Sequence, residues 1–134
     1  MATGELSNAG ANVALNTLFR TDTMYLGLAT ATIDDTTTLA TVVEEDDANY
    51  ERKAIAFNEP ADVGGKQTIK NNGAVAYDAW ASNASDAITW AFITTVATLA
   101  EGNIVAYFAL PTAKTPATGE TLTIPDEGCT FDID

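Results

Sequence analysis

The chain has 134 residues, 19 acidic against 6 basic side chains for a formal net charge of −13, no histidine and a single cysteine. These counts exclude Ser-His-Asp and Cys-His catalytic arrangements, His-containing zinc sites and thiolate metal clusters. They also oppose nucleic-acid binding and docking on anionic membranes, both of which draw on surplus Lys and Arg.

Hydrophobic content of 46% with 19% charged residues is that of a folding domain rather than a disordered chain. The length suits one domain with one core. Ala occurs 24 times and Thr 21 times, and Thr interleaved with Val, Ile, Tyr and Phe favours pleated, half-buried surfaces. The expected fold is therefore mainly β. Residues 1–5 carry neither a basic nor an apolar leader pattern, and no apolar run approaches the roughly 18 residues of a membrane span. Synthesis in a cytoplasm is the expectation.

In chain order, residues 7–19 place Ala11, Leu15, Leu18 and Phe19 near helical spacing, with Ser7 or Asn8 available as N-cap. Gly10 and the asparagines weaken this helix, so it depends on docking against a larger body. From Met24 the period changes to two, and residues 24–30 read as a strand with one face in a core. Residues 31–48 hold five Thr, Asp34-Asp35 and Glu44-Glu45-Asp46-Asp47. They read as a long, solvated surface loop with at most one short edge strand, a length that is commonly functional or mobile.

Strand patterns return at residues 50–57, 67–69, 74–78, 88–95, 104–110, 120–124 and 129–133, separated by Gly-, Pro- and Asn-rich turn sequences. With the first strand this predicts an antiparallel β-sandwich or jelly-roll-like fold of about eight short strands and one short N-terminal helix. The alternations Ile88-Trp90-Phe92 and Ile104-Ala106-Phe108-Leu110 mark two central strands. Trp80 closes one end of the core, residues 111–118 form a flexible connection, and Cys129 is a small buried hydrophobe. The expected organisation is an arm or helix over residues 1–20 and a single β domain over 21–134.

No nucleotide-binding glycine loop occurs, which leaves carboxylate pairs as the one available catalytic chemistry. With so many acids, chance pairs are abundant and none is singled out. Glu44, Glu45, Asp46 and Asp47 supply hard oxygen ligands of the kind calcium accepts, but their spacing matches no EF-hand loop. Consecutive acids on an extended chain point to opposite sides, so a solvated charged loop is the expectation. Asn83-Ala84-Ser85 fits a glycosylation sequon and reads as a polar turn.

The order of several segments carries a resemblance. They are Leu18-Phe19-Arg20, Met24-Tyr25-Leu26-Gly27-Leu28-Ala29-Thr30, an acid before Asn49-Tyr50-Glu51-Arg52-Lys53-Ala54-Ile55-Ala56-Phe57, Ala74-Val75-Ala76-Tyr77-Asp78-Ala79-Trp80, Ile88-Thr89-Trp90-Ala91-Phe92-Ile93, Gly102-Asn103-Ile104-Val105-Ala106-Tyr107-Phe108 and Gly119-Glu120-Thr121-Leu122-Thr123-Ile124. In this order the chain resembles a family of small tailed-bacteriophage virion proteins, tail-fibre-like and in some phages capsid decoration (cement) proteins. Tyr50-x-Arg52 followed by Ile55-x-Phe57 is the most specific piece. The acidic loop and residues 83–86 depart from the pattern, which leaves the attachment site open.

The resemblance implies a non-enzymatic virion protein without cofactor, foremost a decoration knob, possible as a trimer, that clamps the major capsid protein after shell expansion. Tail proteins are the alternative partners, in a tail-fibre or adhesin role, and a carbohydrate-binding module is a third reading. The latter is disfavoured because the eleven aromatics fall mostly on core-facing positions. Attachment is assigned to the first 20 residues, through Leu6, Val13, Leu15, Leu18, Phe19 and Arg20, with the acidic loop facing solvent or basic partner groups.

Overall fold

A computed structural model describes residues 4–133. The helix α1, Asn8–Arg20, begins where Ser7 accepts a hydrogen bond from the Gly10 amide at 3.1 Å. Its Ala11, Leu15 and Phe19 recur every fourth residue and are buried. Phe19 lies 4.9 Å from the ring of Phe57 and 5.0 Å from that of Phe131. Burying a Leu or Phe side chain stabilises by about 1.5–3 kcal/mol, which is the docking that a glycine-containing helix requires.

Nine strands follow among the described residues: β1 Met24–Ala29, β2 Lys53–Ile55, β3 Ala61–Val63, β4 Lys66–Lys70, β5 Val75–Ala76, β6 Ile88–Thr94, β7 Ala106–Lys114, β8 Thr123–Ile124 and β9 Thr130–Ile133. All pairings are antiparallel, in sheets ordered β2-β1-β6-β7, β3-β4-β9 and β5-β8. One core is shared by the three sheets and the helix, with Leu26, Leu28, Ile69, Ile88 and Ile93 fully enclosed. The architecture is mainly β and β-sandwich-like, as the turn spacing predicts. Trp80 and Cys129 are both buried in this core.

β1 and β6 form the centre of the largest sheet, and their register sets Gly27 opposite Phe92. A Cβ on Gly27 would lie 2.1 Å from the Phe92 ring, so the aromatic ring occupies the space that any side chain at position 27 would need.

Three expectations are corrected. β7 is not central: it pairs with β6 alone and forms the sheet's edge. Its alternation reflects one face turned to the core, which a strand keeps at either position in a sheet. Residues 111–114 are not a loose connection but continue β7 beyond a register shift, and Pro111 is tolerated because it falls at a bulge on an edge strand. Residues 31–48 are not merely a solvated loop. Ile33 and Leu39 are buried with Ala29 and Phe92 in a second small cluster, Thr38 bridges to Asn103, and the Leu39 amide donates to the Gly102 carbonyl at 3.0 Å.

The strand missing from the sequence pattern is β3, whose three residues are all exposed. It is the first arm of a hairpin turning at Gly64 and Gly65, both with positive φ (62° and 88°), and Asp62 Oδ1 accepts from the Gly65 amide at 2.9 Å. Two left-handed residues in a two-residue turn match the twist of the arms, and glycine adopts them without strain.

Candidate functional site

Two features gather the residues marked for function: the outward side of α1 and the acidic segment. The six candidate attachment residues, five on α1 and Leu6 before it, do not form one surface. Leu15 and Phe19 face the domain's own core. Val13 is 64% exposed and Leu18 49% exposed. At 100° per residue Val13 lies about 160° around the helix from Leu15, whereas Leu18 flanks the buried stripe at about 60°. Leu6 is 54% exposed just before the N-cap. Arg20 donates to Asn16 Oδ1 at 2.6 Å and approaches Glu59 at 3.9 Å. It lines an open groove of about 620 Å³ between the helix end and β2.

The asparagines that lower the helix propensity have a structural use. Asn8, Asn12, Asn16 and Arg20 stand four residues apart, and Asn16 Nδ2 donates to Asn12 Oδ1 at 3.0 Å. Asn12 Nδ2 in turn donates to Gln67 Oε1 at 3.1 Å and to the Pro60 carbonyl at 3.3 Å, while Asn8 Nδ2 reaches Asp62 Oδ2 at 3.4 Å. This polar line fastens the helix to the β3–β4 hairpin. No apolar periodicity reports it, because its partners lie far away in the chain.

The acidic segment is an internal clamp. The Glu44 carboxylate is held by Arg52 through Nε at 2.9 Å and Nη2 at 2.8 Å, and it accepts from the Tyr50 hydroxyl at 2.6 Å. Tyr50 Oη also accepts from the Leu28 amide at 2.9 Å. Arg52 Nη1 donates to the carbonyls of Val96 (2.8 Å) and Leu99 (3.0 Å), and its guanidinium sits 5.6 Å from the Phe92 ring centroid. One arginine thus ties the acidic segment, β6 and the loop after β6. Burial, followed by the Glu44 charge, holds the Tyr50 hydroxyl far above its ordinary pKa, so the hydroxyl remains a donor.

Glu45 is buried, with Oε1 accepting from the Asp46 and Asp47 amides at 2.8 and 3.2 Å. Its Oε2 has no hydrogen-bond partner among the described residues. Asp47 accepts from the amides of Ala81 (2.9 Å), Asn49 (3.0 Å) and Ser82 (3.1 Å). Those bonds, led by the Ala81 amide, pull its carboxyl below the usual aspartate range. Asp46 is exposed. The expected solvated run is therefore replaced by a segment in which Glu44, Glu45 and Asp47 all receive protein hydrogen bonds, from partners as distant as Ala81 and Ser82. Among the described residues, no three His, Cys, Asp or Glu side chains converge in a way that could hold a metal ion.

The Tyr50-x-Arg52 pair singled out in the sequence is the donating half of this clamp, and the acid preceding it, Glu44, accepts. Asn83 is likewise a staple, its Oδ1 accepting from the Thr118 amide at 2.9 Å and hydroxyl at 3.2 Å. The sequence reading missed the groove between β7 and β8, lined by Phe108, Leu110 and Lys114 among others.

A β-sandwich-like body whose conspicuous charges and motif residues serve to pin loops defines a structural module. The profile of one protein family, Podophage GP4 fiber I protein gp80, matches residues 5–132. The chain belongs to that family and is a small phage structural protein of the virion. No curated protein and no solved structure matches it. Among the described residues no helix is long and apolar enough to cross a membrane.

Proposed function

We propose that the chain is a non-enzymatic subunit of a podophage fibre, which joins other virion proteins through its surface rather than transforming a substrate. The observation that carries this reading is the family match over nearly the whole sequence, to a family described as a fibre protein. That description favours the tail-fibre alternative over capsid decoration. The clamp supports a mechanical role, since Glu44, Tyr50 and Arg52 are engaged with one another and with the backbone.

On this reading Leu6, Val13, Leu18 and Arg20 are the contact points of the N-terminal segment, and Leu15 and Phe19 act indirectly by holding the helix on the body. The test is localisation in the virion, by cryo-EM or by gold-labelled antibody against the chain. Density or label confined to fibres supports the proposal, whereas copies distributed over the capsid shell would restore the decoration reading and overturn it. Changing Leu6, Val13 and Leu18 together to Asp is expected to lower incorporation into particles while leaving the fold intact, because all three side chains are exposed.

A further inference from the structure

The sheet order leaves a seam. The strands β2-β1-β6-β7 form one hydrogen-bonded run and β5-β8 another, and β5 packs beside β2. Followed around the body, the run β8-β5-β2-β1-β6-β7 is interrupted between β7 and β8. Among the described residues β7 pairs with β6 alone and β8 with β5 alone, so each offers an edge of unpaired backbone groups there, interrupted on β7 at Pro111, which has no N–H. Between them lies a groove of about 280 Å³. Its walls are apolar: half-buried Phe108 and Leu110 from β7, buried Ile124 from β8 and buried Leu122 just before it. The charged residue in the lining is Lys114, which has no ion pair among the described residues.

We propose that this seam receives an extended segment of another polypeptide, with apolar side chains on its inward face and a carboxylate set against Lys114. An extended chain directs backbone donors and acceptors to both sides, so a single strand can pair with β7 and β8 at once. Side chains on its inward face then cover the exposed parts of Phe108 and Leu110 beside the already buried Leu122 and Ile124, while those on the other face remain in solvent. Within the groove lining the charge selects an acid, since Lys114 lies there and the nearby Glu120 faces the adjoining pocket on the other side of Lys114. A second copy of this chain is the poorer occupant, because two bodies of net charge −13 repel as they approach. The inference rests on the reading of the chain as a subunit that joins other virion proteins, and it names the surface and the kind of segment involved.

The test uses the full chain, labelled with ¹⁵N, titrated with a capped synthetic nonapeptide of sequence Thr-Val-Thr-Val-Thr-Asp-Thr-Val-Thr, which sets the acid on the apolar face. Saturable shifts at the amides of Phe108, Leu110, Thr123 and Ile124 are expected. Lys114→Glu, or an Asp-to-Lys change in the peptide, should each weaken binding at least tenfold, and the two changes combined should restore it. Lys114 is exposed, so its replacement leaves the fold in place. The proposal is overturned if no shifts appear up to millimolar peptide, if they map outside the seam, or if the charge swap fails to rescue. Sedimentation showing that the chain alone dimerises with the same amide shifts would also overturn it, in favour of a second copy. Virion localisation and peptide binding are separate readouts: a fibre location with no peptide binding sinks only the seam.

Discussion

Replacing Arg52 by Met tests whether the clamp holds the acidic segment. The arginine side chain is 4% exposed and its partner Glu44 22%. The substitution keeps an apolar stem but removes both bonds to Glu44 and the donors to the Val96 and Leu99 carbonyls. Removing one member of a buried, hydrogen-bonded pair typically costs about 3–5 kcal/mol, because the remaining charge is left uncompensated. Tyr50 still donates to Glu44, which puts the expectation at about 3 kcal/mol, near the lower end of that range. For a domain of this size that corresponds to a fall in Tm of about 10 °C. Urea unfolding followed by Trp fluorescence reads the loss as a lower midpoint at unchanged slope. Glu44→Gln and the double variant complete a cycle, in which the double variant should be more stable than the sum of the single losses predicts, by about 1–3 kcal/mol. A loss below about 1 kcal/mol, the range of exposed ion pairs, or strict additivity would refute the clamp.

Gly27→Ala should destabilise by about 1–3 kcal/mol through overpacking, since its Cβ meets the Phe92 ring at 2.1 Å; Phe92→Leu in the same chain should recover part of that loss in the same unfolding assay, and a neutral Gly27→Ala would contradict the packing. Asp47 has a depressed pKa in the fold, so its contribution is fully present above the unfolded pKa and disappears as pH falls through the folded value. Asp47→Asn should therefore flatten the acid limb of a stability profile below about pH 4 without changing its slope near neutrality. Burial pushes the Cys129 thiol up to about 12, so at pH 8 a thiol reagent should label the native protein only at the rate of its opening and label the urea-unfolded chain at once; rapid native labelling would refute this.

The large elements were legible because their side chains report burial locally. Leu26 and Leu28 on β1 follow the period of a strand into the main core, and Ser7 begins the helix where an N-cap residue should; on β6 the strand was legible but its inward face was not, since Ile88, Ala91 and Ile93 enter the main core while Phe92 lies in the second cluster. Neighbour relations were not legible. Phe108 and Leu110 alternate as a central strand does, yet which strand lies beyond β7 depends on the topology of the whole chain. Charge patterning misled for a similar reason: Glu44, Glu45 and Asp47 read as solvated until Arg52, Ala81 and Ser82 are brought to them. The motif order was enough for a phage virion family, whereas a fibre and a capsid knob can be built on the same sandwich, so fold alone does not separate them.

The aromatic contact between Phe19 and Phe131 joins the first helix to the last strand, and this constrains the order in which the molecule can form. At 5–20 residues per second, a ribosome takes on the order of ten seconds to travel from one phenylalanine to the other. Throughout that interval the stripe of Ala11, Leu15 and Phe19 has no completed core to cover it, and a helix of 13 residues is marginal by itself. The helix gains its first docking partners when Phe57 and the β3–β4 hairpin arrive, and its packing is completed when β9 brings Phe131. A nascent chain stalled before Phe131 would leave the Phe19 end of that stripe partly open to chaperones and proteases.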